Sequence, residues 1–551
     1  MSLFRKGPIS SAGYAGSVIG PVSLFAVSAG FLAPVAVALF AAAGTGAEGA
    51  GASALRFARL FSALRFTFLE AFFSTLLAVA IGFPAAFFVA RRDFPGRRFL
   101  LALSAVPLCV PPMIIALAFV LYFGRQGWLN YGLMSAFGLK EPPLSFLYSM
   151  TGVVIAHGLY DFPVIMRTVS RVWERLPADQ EEAALLLGAK PVRVFRTVTL
   201  PALARPLLSG SALVFLYCFF SFVIVLLFGG VGGTTLEVEL YQAARSRLDF
   251  RGASLIALIE TVAAVAVIAF HARLQRGLGR GISSRDTLRA RKPVRGLRER
   301  GAAALFLGGI LVFFVGPLAS IPLRSLAVSA SGARYGGSLT FGLAAWKSIL
   351  GGSNLLPALA ATVGTGIATA ALSVAAALSF AFITYAGRSP GSGALSRLAP
   401  LVPLAVSPVM LGFGWNLLSP RGHWLTLVVA QASLSWPFAW TQIQGALERV
   451  PPDILDASRL LSSGRLDRFY RTLLPLSLRG ALSGAALVFA ISAGDATLPL
   501  VLSLPGYENL ALLLFRLAGS YRFSEACACA VILSLVAGIA FFIQDGDTRE
   551  R

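Results

Sequence analysis

The chain has 551 residues, of which 56% are hydrophobic and only 13% charged, and this composition excludes a soluble protein of ordinary type. Its net charge of +22 comes from arginines that cluster in short segments between long apolar runs. That distribution follows the positive-inside rule, so it indicates a lipid bilayer rather than a nucleic acid as the partner. Backbone polar groups in lipid must be paired within their own segment, and the apolar runs are therefore predicted to be transmembrane helices.

Apolar runs long enough to cross a bilayer occur twelve times along the chain. Six are predicted near 18–43, 66–90, 99–123, 144–166, 206–227 and 251–270. A basic segment follows, and six more runs are predicted near 302–322, 356–385, 398–418, 424–443, 482–502 and 526–543. The sequence thus predicts an all-α polytopic membrane protein with about twelve transmembrane helices.

The chain divides into two halves, 1–272 and 301–551, which a basic linker at 273–300 connects. Because each half has six spans, both halves enter the membrane from the same side, and the repeat is parallel. The arginine-rich segments are predicted to lie in the cytoplasm together with both termini. The first apolar run lacks a cleavage site of small residues, so it is predicted to be a membrane helix rather than a signal peptide.

Cysteine, histidine and lysine spacing predicts no catalytic or metal-binding motif. The four cysteines all lie in or beside apolar runs and form no disulfide framework: Cys109, Cys218, Cys527 and Cys529. The three histidines are far apart in the sequence, and no lysine follows a glycine as a Walker A loop requires. No cofactor, metal or catalytic residue is therefore expected, and a membrane-embedded enzyme is a weak alternative.

A polar stretch that begins at Glu174 occurs again, without a gap, beginning at Glu448. Corresponding residues of the two copies differ in number by the same amount as Glu174 and Glu448, and we call this constant difference the repeat offset. In the first copy, Pro177 suits the start of a helix, and the acidic residues that follow favour its positive end. Gly188 can end this helix, and a second helix can begin just beyond it. In the second copy a serine replaces this glycine, and Gly464 could supply the turn. A hairpin of this kind, repeated between apolar runs, predicts a docking site for a partner.

The two hairpins resemble the EAA loop of binding-protein-dependent ABC transporter permeases. In the first loop, 174–201, the resemblance rests on Glu182, Ala183, Ala184, Gly188, Leu200 and Pro201. In the second loop, 448–475, the motif is degraded, and the corresponding residues are Asp456, Ala457, Ser458, Ser462, Leu474 and Pro475. In that family the loop forms the coupling helix, which binds an ATPase subunit.

The resemblance implies a type I ABC importer permease in a bacterial inner membrane. Its partners would be two ATPase subunits on the cytoplasmic side and an extracytoplasmic substrate-binding protein. The segments 221–244 and 517–522 look like the corresponding stretches of thiamine permeases, so thiamine is the expected substrate. The fused chain is also similar to ferric iron permeases, and iron or another small solute is the alternative.

An ion-coupled secondary transporter with twelve spans is the second alternative. Such a protein would also have parallel halves, but a repeated docking hairpin is not expected in it. Ionisable residues inside its spans would be prominent instead, because they are costly in lipid and are usually functional. The candidates of this kind are Glu70, His157, Asp161, Glu260 and Asp495.

Tyr160, Asp161, Glu260 and Asp495 are the residues predicted to line a substrate path. An acid beside an aromatic ring can bind an organic cation through charge and cation–π contact. We expect the helices to be irregular at Asp161, which precedes Phe162 and Pro163, and at Asp495, which follows a glycine. The alternative role for these acids is hydrogen bonding between helices.

Overall fold

The computed structural model describes residues 11–41, 50–103, 110–228, 233–275, 291–294, 296–328, 340–385 and 399–549, and these residues are mostly helical. Up to residue 275 the helices are α1 Ser11–Phe40, α2 Ala50–Arg91, α3 Arg97–Leu103, α4 Pro112–Phe123, α5 Trp128–Phe137, α6 Met150–Trp173, α7 Ala178–Leu186, α8 Pro191–Val194, α9 Leu200–Phe219, α10 Val223–Phe228, α11 Leu236–Tyr241 and α12 Phe250–Gln275.

The remaining described residues contain twelve further α-helices. They are α13 Leu297–Ile310, α14 Gly316–Ser325, α15 Ala344–Gly351, α16 Leu355–Tyr385, α17 Pro408–Leu418, α18 Trp424–Leu447, α19 Pro452–Leu461, α20 Arg465–Arg468, α21 Leu474–Gly494, α22 Thr497–Leu502, α23 Leu510–Gly519 and α24 Phe523–Arg549. The described residues also form two short ladders: β1 Arg92–Asp93 pairs in parallel with β2 Lys292–Pro293, and β3 Ala327–Val328 pairs antiparallel with β4 Thr340–Phe341.

The predicted fold class is confirmed, since helices occupy all twelve predicted spans in the described part of the chain. Within the described ranges, nine segments are long and apolar enough to cross a membrane, and a tenth is a pair of helices, Ala399–Ala405 and Pro408–Leu418, bent by 85°. The other two predicted spans are α6 and α18, which have 24 residues each. Their buried polar side chains make them less apolar than the rest. Cys109, the linker residues 276–290 and the loop residues 229–232 lie outside the described residues.

Two of the predicted spans are interrupted in the structure. The run at 206–227 breaks between α9 and α10, and the run at 482–502 breaks between α21 and α22. The second break confirms the irregularity expected at Asp495, whose backbone is extended with ψ 114°. The irregularity expected near Asp161 is wrong, because α6 continues through Pro163. A long membrane helix tolerates an internal proline when neighbouring helices pack around it.

The described residues form two compact units that do not coincide with the predicted halves. Unit 1 comprises Met1–Ala41, Ser353–Leu513 and Ile532–Arg551, and unit 2 comprises Ala42–Gly352 and Leu514–Val531. Helix α1 therefore belongs to unit 1 with the helices of the second half. Helices α13 and α14 belong to unit 2 with those of the first half.

In unit 1, helices α16, α18 and α21 pack against one another, and α1 packs against α16, α17 and α18. Gly414 permits the closest approach, because a Cβ atom there would lie 2.0 Å from the carbonyl oxygen of Pro34. The core includes Phe380, whose ring meets that of Trp440 edge-on with centroids 4.8 Å apart. Aromatic and small residues thus bury these helices without leaving room for larger side chains at the crossing.

In unit 2, helix α2 packs against α6, and α9 packs against both of them and against α12. Helix α14 contacts α4. Phe162 of α6 is fully buried and lies edge-on to Phe314, with ring centroids 5.4 Å apart. This arrangement brings the polar residues of α2, α6 and α9 into the interior of the unit.

Candidate functional site

The first hairpin has the local structure that the sequence predicts. Pro177 precedes α7, whose first turn contains Asp179 and Glu181, and the helix ends at Leu186. Gly188 then turns the chain with φ +83°, a left-handed conformation that favours glycine. Helix α8 begins immediately after this turn.

From α8 the backbone continues through a π-helical turn, Phe195–Thr199, directly into α9. The N–H of Leu200 donates to the carbonyl of Phe195, five residues back. The next residue, Pro201, has no N–H to donate, which favours a local widening of the helix. The hairpin is therefore rigidly continuous with a membrane helix.

The second hairpin has the same outline but a different turn. Ser462 has φ −83°, and Gly464 is extended with φ 178°, so neither adopts the left-handed conformation of Gly188. The carboxylate of Asp467 instead accepts a hydrogen bond of 3.0 Å from the N–H of Ser463. Gly464 thus lies in the turn, as suggested from the sequence, but an aspartate cap takes over the role of the left-handed glycine.

Both hairpins present two consecutive leucines to the surroundings. Leu186 and Leu187 are 88% and 89% exposed, and their counterparts at the repeat offset, Leu460 and Leu461, are 87% and 86% exposed. Adjacent apolar side chains exposed at equivalent positions in both copies are candidates for contact with a partner. We call these four residues the leucine tips.

The first hairpin is attached to unit 2 by hydrogen-bonded charges. Glu181 Oε1 accepts a hydrogen bond of 2.7 Å from Arg91 Nη2 and one of 2.8 Å from the hydroxyl of Thr199. Both charged side chains are largely buried. The ion pair therefore joins the end of α2 to α7 under little solvent screening.

At the base of the same hairpin, Glu174 accepts hydrogen bonds of 3.0 Å from both Arg97 and Arg291. Arg291 belongs to the linker between the halves, and β1 and β2 pair beside it. Burial and the neighbouring Arg291 lower the pKa of the Arg97 guanidinium, while Glu174 acts in the opposite direction. The linker thus contributes directly to the attachment of the first hairpin.

The second hairpin is attached mainly by apolar contacts. At the repeat offset, Glu181 corresponds to Leu455 and Thr199 to Leu473, and both leucines pack in the core of unit 1. Ser458, which replaces Ala184, is buried and accepts a hydrogen bond of 3.2 Å from Arg468 Nε. A polar anchor in one copy is thus replaced by an apolar anchor in the other.

The structure distributes the predicted coupling residues over exposed and covered positions. Exposed are Glu182, Ala183, Gly188, Pro201, Asp456, Ala457 and Pro475. Partly covered are Ala184, Leu200, Ser462 and Leu474, and Ser458 is buried. Asp456 forms a local ion pair of 2.7 Å with Arg459.

A buried polar cluster connects α2, α6 and the break after α9 in unit 2. His157 Nδ1 lies 2.5 Å from Glu70 Oε1, and His157 Nε2 lies 2.7 Å from the hydroxyl of Ser221. Ser74 donates to the same Glu70 oxygen at 2.8 Å. Cys218 Sγ lies 3.5 Å from Asp161 Oδ2.

A second polar cluster connects α16, α18 and the break after α21 in unit 1. Gln431 Nε2 donates to Asp495 Oδ2 at 2.9 Å. Gln431 Oε1 accepts from Thr369 at 3.1 Å and from Ser492 at 2.6 Å. Asn509 donates to the backbone carbonyl of Asp495 at 3.1 Å.

The two clusters occupy equivalent positions in the repeat. At the repeat offset, the pairs are His157 and Gln431, Cys218 and Ser492, Ser221 and Asp495, and Thr235 and Asn509. Helix α2 aligns with α16 at a constant difference in residue number that is larger than the repeat offset. The pairs there are Glu70 and Thr365, and Ser74 and Thr369. The same helix crossings are therefore joined by charged and thiol side chains in unit 2 and by mostly neutral ones in unit 1.

The residues predicted for a substrate path have structural contacts of their own. Tyr160 donates a hydrogen bond of 3.0 Å to the carbonyl of Val110. Asp161 and Glu260 are buried on α6 and α12. Asp495 Oδ1 accepts from the N–H of Thr497 at 2.8 Å and so begins α22. The acids Asp161 and Asp495 belong to different units, each within its own polar cluster.

Sequence reasoning overlooked several residues that the structure brings into these sites. They are Arg91, Glu181 and Thr199 in the hairpin anchor, and Cys218, Ser221, Gln431, Ser492 and Asn509 in the clusters. The constant repeat offset was the available signal, because it relates each polar residue of one copy to a position in the other. Arg91 had no such signal, since it lies outside the gapless repeat.

Comparison with known proteins gives several similar permeases. The chain is 33% identical over 281 residues to the thiamine transport system permease protein ThiP of Salmonella typhimurium, covering 50% of each chain. It is 25% identical over 497 residues to ThiP of Escherichia coli, covering 88% of each chain. It is 34% identical over 213 residues to PhnU of Salmonella paratyphi A, provisionally named a 2-aminoethylphosphonate transport system permease protein; this match covers 39% of the chain and 74% of that relative.

Helices long and apolar enough to cross a membrane, buried polar contacts between them and a repeated exposed hairpin suit a membrane transport subunit. The family described as binding-protein-dependent transport system inner membrane component matches residues 78–284. The chain belongs to this family and is a multi-pass inner membrane protein.

Proposed function

We propose that this chain is the permease subunit of an ATP-driven importer for thiamine. The observation that carries the proposal is the similarity to a thiamine permease along 88% of both chains. An alignment of that extent includes both hairpins and both sets of membrane helices, so it compares whole permeases rather than one shared segment. The segments 221–244 and 517–522 add local resemblance to the same branch.

In this proposal each hairpin binds one ATPase subunit, and the leucine tips supply the apolar centre of each contact. No lysine of this chain follows a glycine, so ATP hydrolysis belongs to the partner subunits. The hairpins and both termini face the cytoplasm, and a substrate-binding protein delivers thiamine on the other side. Because each hairpin continues into a membrane helix, movement of the ATPase subunits reaches the substrate path without a flexible joint.

Substrate specificity is tested by uptake of labelled thiamine in cells with and without this chain. Labelled 2-aminoethylphosphonate is measured in parallel, since the match to PhnU makes it the second candidate. We favour thiamine, because the match to PhnU covers only 39% of this chain. Loss of thiamine uptake alone supports the proposal, and loss of 2-aminoethylphosphonate uptake alone overturns the substrate.

Coupling is tested with Glu182→Lys, which reverses an exposed charge on the first hairpin. The variant is expected to keep the fold, because Glu182 is exposed on α7. It is expected to reduce uptake while ATP hydrolysis by the assembled complex continues. Asp456→Lys on the second hairpin is the matched charge reversal, at the position that corresponds to Glu182, and unchanged uptake in both variants would contradict the assigned role.

A further inference from the structure

Glu70, His157 and Cys218 approach one another inside unit 2 although they are far apart in the sequence. Each offers one ligand atom, and these atoms all lie within 4.8 Å of one another. The side chains come from α2, α6 and α9, so only the folded unit assembles them. Glu70 and Cys218 are 0% exposed and His157 is 3% exposed.

The equivalent crossing in unit 1 provides an internal comparison. There the corresponding residues are Thr365, Gln431 and Ser492, which are neutral and lack both thiol and imidazole. The helices of unit 1 cross and form hydrogen bonds although Thr365, and not an acid, occupies the position of Glu70. The fold by itself therefore does not require Glu70, His157 and Cys218, and burying a carboxylate in a membrane protein is costly unless it gains a partner.

One oxygen of Glu70 is available for such a partner. Glu70 Oε1 accepts from Ser74 and contacts His157. Glu70 Oε2 is buried, and among the described residues none forms a hydrogen bond with it. A buried carboxylate oxygen without a donor is unfavourable, and a bound cation would remove that cost.

We propose that Glu70, His157 and Cys218 form a binding site for a transition-type divalent cation such as Zn²⁺. A carboxylate oxygen, an imidazole nitrogen and a thiolate suit Zn²⁺ or Co²⁺, whereas Mg²⁺ and Ca²⁺ prefer oxygen ligands. The charges of the carboxylate and the thiolate balance that of the cation, so the cation and its three ligands together carry no net charge.

The surrounding hydrogen bonds are suited to orient these ligands. Ser74 donates a hydrogen bond to Glu70 Oε1. If His157 binds the cation through Nδ1, the hydroxyl of Ser221 contacts its other ring nitrogen, Nε2. Such outer contacts typically fix the orientation of metal-binding carboxylates and imidazoles. Tetrahedral ligands of Zn²⁺ lie about 3.3–3.7 Å apart. This is farther than the 2.5 Å between Glu70 Oε1 and His157 Nδ1, so Glu70 would bind through Oε2, the oxygen without a donor.

The cation would act as a resident cross-link between α2, α6 and α9 rather than as cargo. The three ligands are buried on separate helices, which favours loading of the site as the unit folds. The inference does not depend on thiamine as the substrate. It predicts that metal content and thermal stability change together.

The test uses the purified full-length chain in lipid nanodiscs, loaded with Zn²⁺ or Co²⁺ and then freed of excess metal. We expect one tightly held ion per chain by elemental analysis and, for Co²⁺, a near-ultraviolet thiolate-to-metal absorption band. The triple variant Glu70→Thr, His157→Gln, Cys218→Ser carries the residues of unit 1 and should lose both signals. Cys527→Ser, another buried cysteine of unit 2, is the matched control and should retain both.

Stability provides the second measurement. A strong chelator should lower the melting temperature of the wild-type chain and leave that of the triple variant unchanged. If the triple variant does not yield a folded chain, Cys218→Ser alone should still abolish the absorption band. Metal content equal in the wild type and the triple variant, including no bound metal in either, would overturn the proposal.

Discussion

The two hairpins are alike at their tips and different at their attachments. Each presents a pair of highly exposed leucines at equivalent positions. The first is held by Glu181, which contacts Arg91 and Thr199, whereas the second is held by Leu455 and Leu473 in an apolar core. Only the exposed surface is common to both copies, so in the proposed function it is this surface, and not its attachment, that binds the ATPase subunits.

The largest expected effect follows from changing that shared surface. Leu186→Asp with Leu187→Asp should place two charges where an apolar partner surface is expected, and the same applies to Leu460→Asp with Leu461→Asp. A central apolar contact in an interface contributes about 2 kcal/mol or more, so uptake should fall about tenfold or more in each case. Co-purification of the ATPase subunits and uptake of labelled substrate are the measurements.

Leu297→Asp is the control for these variants, since Leu297 is 87% exposed but lies outside both hairpins. It should leave uptake and co-purification near wild-type levels. If the substitutions in one leucine pair abolish transport while those in the other have no effect, the two hairpins are not equivalent in docking.

The next effect concerns the attachment of the first hairpin. Glu181→Leu removes one partner of a largely buried ion pair and leaves Arg91 without its carboxylate, which should destabilise the hairpin by about 3 kcal/mol. Adding Arg91→Leu and Thr199→Leu would make the anchor apolar, as in the second copy, and should recover part of this loss. Limited proteolysis of the hairpin reports the change, and equal protection in all variants would contradict the assigned anchor.

A smaller effect is expected at the turns. Gly188→Ala forces a left-handed conformation on an L-residue, which costs roughly 1–2 kcal/mol, although no atom lies near the added methyl group. Ser462→Ala in the second hairpin should have no comparable cost, because Ser462 has a negative φ. Titration of the ATPase subunits against each variant measures the difference, and Gly188→Asn should be milder than Gly188→Ala.

The smallest effect is expected in the polar cluster of unit 1. Ser492→Ala removes the hydrogen bond of 2.6 Å to Gln431, and an interhelical hydrogen bond in a membrane protein contributes about 0.6 kcal/mol. The melting temperature should fall slightly, while the exposed Ser463→Ala should not change it. A large fall would mean that the cluster of unit 1 is more than a set of neutral hydrogen bonds.

Several parts of this structure were predictable from the sequence because they depend on local chemistry. Apolar length defined the membrane helices, and Pro177, Gly188 and Pro191 defined the first hairpin. The break at Asp495 followed from the glycine before it. The expected irregularity at Pro163 failed because a proline's missing N–H can be accommodated by tertiary packing, which no local pattern encodes.

The remainder depends on which distant residues meet. The pairing of Glu181 with Arg91 and the assembly of Glu70, His157 and Cys218 arise from helix packing, not from spacing in the chain. The placement of α1 in unit 1 is also a matter of packing, since the sequence repeat alone groups it with the first half. Within the polar clusters, only the repeat offset connects residues such as His157 and Gln431 before the structure is known.

In the proposed function, ATPase subunits bound at the two leucine tips drive import through this permease. The most direct measurement is uptake of labelled thiamine into proteoliposomes that contain this chain and its ATPase subunits, with the binding protein supplied outside and ATP enclosed. We predict uptake that requires ATP, persists when ion gradients are collapsed, and disappears when either leucine pair is changed to aspartate. Uptake that continues without ATP but stops when the ion gradient is removed would contradict ATP-driven import.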